Sequence, residues 1–221
     1  MVIRQRAMQA ADKRERRDAI LDAAERVLAN APEQVASVAA VADAAGLAKG
    51  TVYLYFPSKE ELLLTVHERH IDCFFNDLTA LLEQQPSDFD AVFALTRRQL
   101  IDPPLFLPLA ARCLGLMAHR VPPAAALAFK QRMAAHLERA GAAIERHLRA
   151  SAPGVGIALL RRSYALIVGL WQMSAAVGGG TLCAMAGPDT PPALAWDYPE
   201  ELEGALRTLW QGMTGVPMEE S

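Results

Sequence analysis

The sequence contains few cysteines and few aromatic residues, and its net charge is small. Among 221 residues there are three cysteines, Cys73, Cys113 and Cys183, aromatic residues make up 6%, and the formal net charge is -3. An odd number of widely spaced cysteines argues against a disulfide framework. The first residues also do not have the pattern of a signal peptide, so we expect a cytoplasmic protein with reduced cysteines.

Sequence motifs typical of enzymes are also missing. There is no Gly-x-Ser-x-Gly elbow, no phosphate-binding loop and no dinucleotide-binding fingerprint. His67 and His70 are three residues apart, with Glu68 and Asp72 nearby, but no further metal-ligand pattern accompanies them. We therefore expect no enzyme activity, no cofactor and no metal, with a helical enzyme or metal-binding bundle as the alternative.

Charged residues are missing from Ser163 to Gly187, which is a stretch long enough to span a bilayer. Gln172 and Ser174 interrupt this stretch, and a helix that is apolar on all sides can equally be buried between subunits. We expect a buried helix and no membrane partner, and a membrane-associated helical protein is the second alternative.

The sequence does contain a helical pattern of apolar residues along its whole length. Apolar residues recur at helical spacing and no strand pattern or internal repeat interrupts them, which predicts an all-α protein. Nine helices are expected: two short ones between Ser37 and Phe56, and seven at 13–29, 58–84, 89–101, 104–118, 123–150, 156–177 and 198–213.

The segment from Ser37 to Lys59 predicts two short helices joined by a tight turn. Ala42 is small enough to let the second helix approach the first, and Gly46 can adopt a left-handed backbone at the end of the first helix. Val52 would pack the second helix back onto the first, and Ser37 is a suitable N-cap. This arrangement is typical of a helix-turn-helix, which places its second helix in the DNA major groove.

The second helix carries side chains that suit DNA. Its hydroxyl groups and its lysine can bind phosphate oxygens, while Leu54 can either contact a thymine methyl group or pack within the protein. Ser58 and Glu61 predict a capping box for the next helix, whose N-terminus attracts phosphate together with Lys59. The alternative is that Lys59 is only a solvated surface residue. The candidate DNA-binding residues are Ser37, Lys49, Gly50, Thr51, Tyr53, Leu54, Tyr55 and Lys59.

Positive charge is concentrated at the N-terminus. Residues 1–17 contain six basic and two acidic residues, a net charge of +4, although the whole chain carries -3. A basic arm on an acidic body fits DNA binding at one end of the molecule. We expect this arm to be loose until it meets phosphate.

The sequence AGLAKGTVYLYFPSKEELL resembles the DNA-binding signature of the TetR family of bacterial transcriptional regulators. The resemblance covers about the first third of the chain. It implies a three-helix DNA-binding domain at 1–57, followed by a six-helix domain at 58–221 for effector binding and dimerisation. It also implies a repressor that binds a palindromic double-stranded operator and is released by a small apolar or amphipathic ligand.

The body of the chain supplies candidates for the ligand and dimer sites. Apolar walls with sparse polar groups suit a small-molecule cavity, and the candidate wall consists of Phe74, Phe93, Phe106, Met117, Phe129, Trp171 and Gln172. The homodimer is expected to form through the helices at 156–177 and 198–213. On the second of these, the candidate interface residues are Leu202, Leu206, Leu209 and Trp210.

Overall fold

The computed structural model describes residues 2–30, 37–84, 88–119, 121–148, 152–174 and 197–214. All regular structure in these ranges is helical, which confirms the predicted all-α fold. The α-helices are α1 (Val2–Asn30), α2 (Val38–Ala45), α3 (Lys49–Tyr55), α4 (Lys59–Gln84), α5 (Phe89–Thr96), α6 (Phe106–His119), α7 (Pro123–Leu148), α8 (Val155–Met173) and α9 (Tyr198–Thr214).

Two parts of the chain differ from the sequence-based expectation. The basic arm is not loose, because α1 begins at Val2 and not near Lys13. The helix expected at 89–101 changes its hydrogen bonding after Thr96, where a π-helical segment runs from Arg97 to Ile101. The Asp102 N–H donates to the Arg97 carbonyl at 2.8 Å. Two prolines follow and lack the N–H groups that would continue the helix.

The described residues form two compact units. The first comprises Met1–Arg69 and Pro104–Ala126, and the second comprises His70–Pro103 and Leu127–Ser221. Helices α1 to α3 and α6 therefore belong to the first unit, while α5, α8 and α9 belong to the second. The sequence-based division at residues 57 and 58 remains a prediction.

The core of the first unit joins α1 to α2. Ile20, Ala24 and Leu28 lie on one face of α1 and are buried, as are Val41 and Ala42 of α2. Their spacing gives α1 the apolar stripe that a packed surface helix needs.

In the same unit, the first part of α4 packs against α6. The ring of His67 lies 5.3 Å from the ring of Phe106, and both side chains are buried. On α6, burial raises the pKa of the Cys113 thiol to about 12, because the charged thiolate would lose its hydration.

In the second unit, α9 packs against α8 in the same chain. The indole N–H of Trp210 donates to the Ser163 hydroxyl at 3.1 Å, and the Tyr198 hydroxyl donates to the Ile167 carbonyl at 2.9 Å. Leu202 and Leu206 are also buried. The expectation that Leu202, Leu206 and Trp210 face a partner subunit is therefore wrong, because the core of their own chain covers them.

Helices α7 and α8 approach each other closely at two glycines. A Cβ added to Gly156 would lie 2.1 Å from the Gly141 carbonyl oxygen, so only glycine fits there. The backbone N–H groups of Gly154 and Gly156 both donate to the Glu145 carboxylate, at 2.8 and 3.0 Å. A side chain of α7 thus caps the N-terminus of α8.

Within the described ranges, no helix is long and apolar enough to cross a membrane. Helix α8 ends at Met173, and the rest of the uncharged stretch, from residue 175 to 187, lies outside the described residues.

Candidate DNA-binding site

The turn between α2 and α3 has the geometry that the sequence predicts. The Ser37 hydroxyl accepts a hydrogen bond from the Ala40 N–H at 3.1 Å, which caps the start of α2. Gly46 has a φ of 66°, in the left-handed region, where other residues are strained. The Leu47 N–H then donates to the Ala42 carbonyl at 2.9 Å. These contacts fix the direction in which α3 leaves the turn.

Helix α3 is held on one side and exposed on the other. Val52 is completely buried, and Phe56, which follows the helix, is 3% exposed. In contrast, Leu54 is 81% exposed and Tyr53 is 41% exposed. An isolated helix of seven residues is unstable in water, so these two buried anchors keep α3 folded and orient its outer face.

Gly50 lies on the exposed side of α3, and the protein itself does not require a glycine there. A Cβ at this position would have no atom within 4 Å, and the backbone is not in the left-handed region. Glycine in a helix is less stable than alanine by roughly 0.5–1 kcal/mol, so its presence has a local cost without a packing reason. It leaves room for another molecule to approach the backbone closely.

The remaining predicted contacts of α3 surround this open position. Lys49 is exposed, and its ammonium group lies 5.9 Å from the centre of the Tyr53 ring. Thr51 and Tyr55 are half-buried. The exposed surface of α3 therefore combines a cation, hydroxyl groups and one aliphatic side chain, which can bind phosphates and base edges.

The start of α4 lies directly after α3 and has a capping arrangement. The Ser58 hydroxyl accepts from the Glu61 N–H at 3.1 Å and lies 3.3 Å from the Glu61 carboxylate. This differs from the usual capping box, in which the carboxylate reaches the N-cap backbone. Lys59 is the first residue of α4 and is half-buried.

Three arginines stabilise this site from positions that the sequence motif does not include. The Arg17 guanidinium lies 5.1 Å from the centre of the Phe56 ring, and Arg26 donates to the Ala44 carbonyl at 3.3 Å. Arg69 of α4 forms an ion pair with Asp22 of α1. Burial lowers the pKa of Arg69, but the hydrogen bond to Asp22 and the neighbouring carboxylates raise it further, so the net shift is upward.

The residues predicted to line a ligand cavity are divided between the two units. Phe106 lies in the first unit and Phe74, Phe93 and Phe129 lie in the second, all four buried. Trp171 and Gln172 are half-buried residues of α8 in the second unit. The side chain of Met117 lies outside the described residues. The ligand site remains a prediction.

The two histidines on α4 do not belong to a metal cluster in the described part of the chain. There, no group of three or more His, Cys, Asp or Glu side chains could hold a metal ion. His67 is buried beside Phe106, whereas His70 is half-buried.

Comparison with known proteins gives matches over most of the chain. Residues 20–66 match the model described as "Bacterial regulatory proteins, tetR family", and residues 68–216 match "Tetracyclin repressor-like, C-terminal domain". The HTH-type transcriptional regulator EthR of Mycobacterium tuberculosis is 42% identical over 72 residues, and the EthR of Mycobacterium bovis gives the same values. This match spans 33% of the chain and 33% of the length of EthR.

A crystal structure of a TetR-family regulator from Mesorhizobium loti has a similar fold. It superposes with a TM-score of 0.54 and 17% sequence identity, covering 90% of this chain and 96% of the other. At this identity the likeness concerns the fold alone. The two family matches together extend from residue 20 to residue 216 with a single residue between them. The chain therefore belongs to the TetR family of bacterial transcriptional regulators.

Proposed function

We propose that the chain is a homodimeric repressor that binds a palindromic operator through α3 and is released by a small apolar or amphipathic ligand. The observation that carries the DNA-binding part is the two-sided character of α3. Val52 is completely buried, while Leu54, two residues later, is 81% exposed. Such a helix is fixed by the protein and presents its outer face to another molecule.

In this proposal most contacts from α3 and α4 position the protein on phosphates. Lys49, Thr51, Tyr53, Tyr55 and Lys59 supply charged or hydroxyl groups for them, and Ser37 does so from the start of α2. Leu54 and the backbone at Gly50 are closest in character to base-reading groups, because an aliphatic side chain can contact a thymine methyl.

The DNA contacts can be tested with DNA from upstream of the chain's own gene in a gel-shift titration. We expect Tyr53→Ala and Lys59→Ala each to weaken binding about 10- to 100-fold, the loss expected for one hydrogen bond to a charged group. Lys130→Ala, which removes an exposed lysine of the second unit, is the matched control. Unchanged affinity and salt dependence in both variants would refute the assignment of these contacts.

Dimerisation is proposed through the outer faces of α8 and α9. Ala205, Leu209 and Gly212 share one face of α9 at i, i+4 and i+7, and none of them is buried in the chain. Leu166 and Met173 lie seven residues apart on α8, and Met173 is 54% exposed. Small and aliphatic residues on neighbouring helices suit an isologous contact around a two-fold axis.

Sedimentation analysis tests this surface. We expect Leu209→Glu to shift the protein towards monomer, because the partner would have to bury an unpaired carboxylate. Thermal unfolding of the monomer should change little, since Leu209 is not part of the buried core. Lys130→Glu reverses an exposed charge and serves as the control. A fully dimeric Leu209→Glu protein would exclude this face.

The proposed effector site lies in the second unit, with Phe74, Phe93, Phe129, Trp171 and Gln172 as its wall. Release of DNA requires the ligand to bind two conformations with different affinity, since equal affinity shifts no population. The amphipathic dye 1-anilinonaphthalene-8-sulfonate is a suitable probe. We expect it to bind the folded protein and to lower operator affinity, and Trp171→Ala to weaken both effects. Dye binding without any change in DNA affinity would show that occupation of the cavity does not regulate DNA binding.

A further inference from the structure

The N-terminal part of α1 is an exposed helix whose described side chains lie outside the buried core. Every residue from Ala11 to Ala19 is exposed, while burial begins at Ile20. The helical backbone continues to Val2, so 18 residues precede the packed part of α1. At 1.5 Å per residue, this segment extends about 27 Å, which corresponds to about 8 base pairs of DNA.

Positive charge on this segment lies in line with the face of α1 that packs onto the helix-turn-helix. Lys13, Arg17, Ile20 and Ala24 are spaced at i, i+4, i+7 and i+11, so they share one face. Ile20 and Ala24 are buried in the core, whereas Lys13 and Arg17 are exposed. Arg14 and Arg16 flank this line on either side, since they lie about 90° and about 70° from its centre at 100° per residue.

Negative charge occupies the opposite face. Asp12, Glu15, Asp18 and Asp22 follow one another at three- and four-residue spacing and form a second line along α1. Asp22, at its C-terminal end, pairs with Arg69 of the same unit. Asp22 is thus directed to the protein's own α4, whereas the exposed Lys13 and Arg17 lie on the face of α1 opposite to this acidic line.

The basic face is also joined to the end of α3. Arg17 contacts the ring of Phe56, the residue that caps α3. Lys13 and Arg17 are like charges at i, i+4, a spacing that destabilises an isolated helix. An anion beside them would remove this repulsion. A row of phosphates is the anion that lies next to a DNA-bound α3.

We propose that the exposed segment of α1 is a second DNA-contacting element, whose basic face binds the phosphate backbone outside the bases read by α3. This inference rests on the proposed function and adds a contact region to it. Because phosphates carry no base identity, the segment contributes affinity and salt dependence without extending the operator consensus.

The experiment uses duplexes enriched from a random-sequence library by the wild-type protein. Duplexes are prepared that end at the consensus or that continue about 10 base pairs beyond it on each side, enough for the full segment. Affinity is measured against salt concentration for wild type, for Lys13→Gln/Arg16→Gln and for Arg98→Gln/Lys130→Gln. The last variant removes two exposed cations from the second unit and is the charge-matched control.

We expect wild type and the control to bind the long duplex more tightly than the short one. The Lys13→Gln/Arg16→Gln variant should lose this difference, and its salt slope on the long duplex should fall by about 1.8 per bound subunit, at 0.9 per phosphate contact. A hydroxyl-radical footprint should show loss of backbone protection outside the consensus only. Unfolding by urea should not change, because both residues are exposed.

Two results would overturn the inference, and only the first of them is compatible with DNA binding through α3. If the double variant keeps the wild-type slope and length dependence, the basic face is only solvated and α3 remains the DNA contact. If the wild-type protein enriches no duplex at all, the proposed DNA-binding function fails, and this inference fails with it.

Discussion

Replacing Gly50 by alanine should separate the stability of α3 from its function. The new methyl group meets no atom within 4 Å, so the folded protein accommodates it without strain. Alanine is the better helix former, and because Gly50 lies in the first turn of α3 we expect a gain of at most about 0.5–1 kcal/mol, or at most about 1–4 °C in Tm for a chain of this size. The same methyl group would lie between α3 and the DNA. An overpacked contact of this kind costs about 1–3 kcal/mol, which corresponds to a 5- to 150-fold rise in Kd.

The test is a pair of measurements on two matched variants. Tm is obtained by circular dichroism and Kd by fluorescence anisotropy with a labelled operator duplex. Gly115→Ala is the control, since Gly115 is an exposed glycine of α6, also with no atom within 4 Å of an added Cβ. It should gain stability without losing affinity. A Gly50→Ala protein with a raised Tm and wild-type Kd would refute the idea that DNA approaches α3 at this glycine.

Three further predictions concern the body and the pH dependence. Gly156→Ala should lower the free energy of unfolding by at least about 3 kcal/mol in urea, because the added Cβ would lie 2.1 Å from the Gly141 carbonyl oxygen. A loss below about 1 kcal/mol would contradict this close approach. Arg207→Met should cost about 1 kcal/mol, since Arg207 binds Asp90 at 2.7 Å in a partly exposed pair. A double-mutant cycle with Asp90→Asn should recover part of that energy as coupling, because Arg207 also binds Glu203 at 3.1 Å and lies over the Phe89 ring, and a coupling energy of zero would contradict the Arg207–Asp90 pair. Burial raises the pKa of the Cys113 thiol to about 12 in the folded state. The buried neutral thiol therefore stabilises the protein fully below the pKa of the unfolded state, near 9, and this stabilisation is lost as the pH rises towards 12. The difference in unfolding free energy between wild type and Cys113→Ala should therefore narrow by about 1–2 kcal/mol from pH 8 to pH 10, and a constant difference would exclude a buried thiol.

The helix-turn-helix could be predicted in detail because its geometry depends on neighbours in sequence. Ser37 caps a residue three positions later, and Ser58 does the same for Glu61. Gly46 ends α2 through bonds to residues three and four positions earlier. Each of these choices is local, so residue types at fixed spacing are sufficient to infer them.

The packing of the body could not be inferred in the same way. Arg207 and Asp90 are 117 positions apart, and Trp210 binds a hydroxyl group 47 positions away. The apolar stripe on α9 was visible in the sequence, but a stripe does not specify whether its own chain or a second chain covers it. In this protein the same chain covers Leu202, Leu206 and Trp210.

The helical start of α1 was a different kind of error, because a local signal existed. Residues 2–12 contain neither glycine nor proline and are rich in alanine, glutamine and arginine, which favour helix. The excess of positive charge suggested a loose arm, yet opposite charges on opposite faces are compatible with a continuous helix.

The two-sided character of α3 has a consequence for how such regulators diverge. Val52 and Phe56 connect α3 to the core, whereas Leu54 and Gly50 contribute little or nothing to it. If α3 reads the operator as proposed, substitutions at Leu54 or Gly50 can change operator preference while leaving the fold nearly as stable as before. After a gene duplication, one copy could acquire a new set of target promoters in a few mutational steps. It would not first need compensating changes elsewhere in the protein.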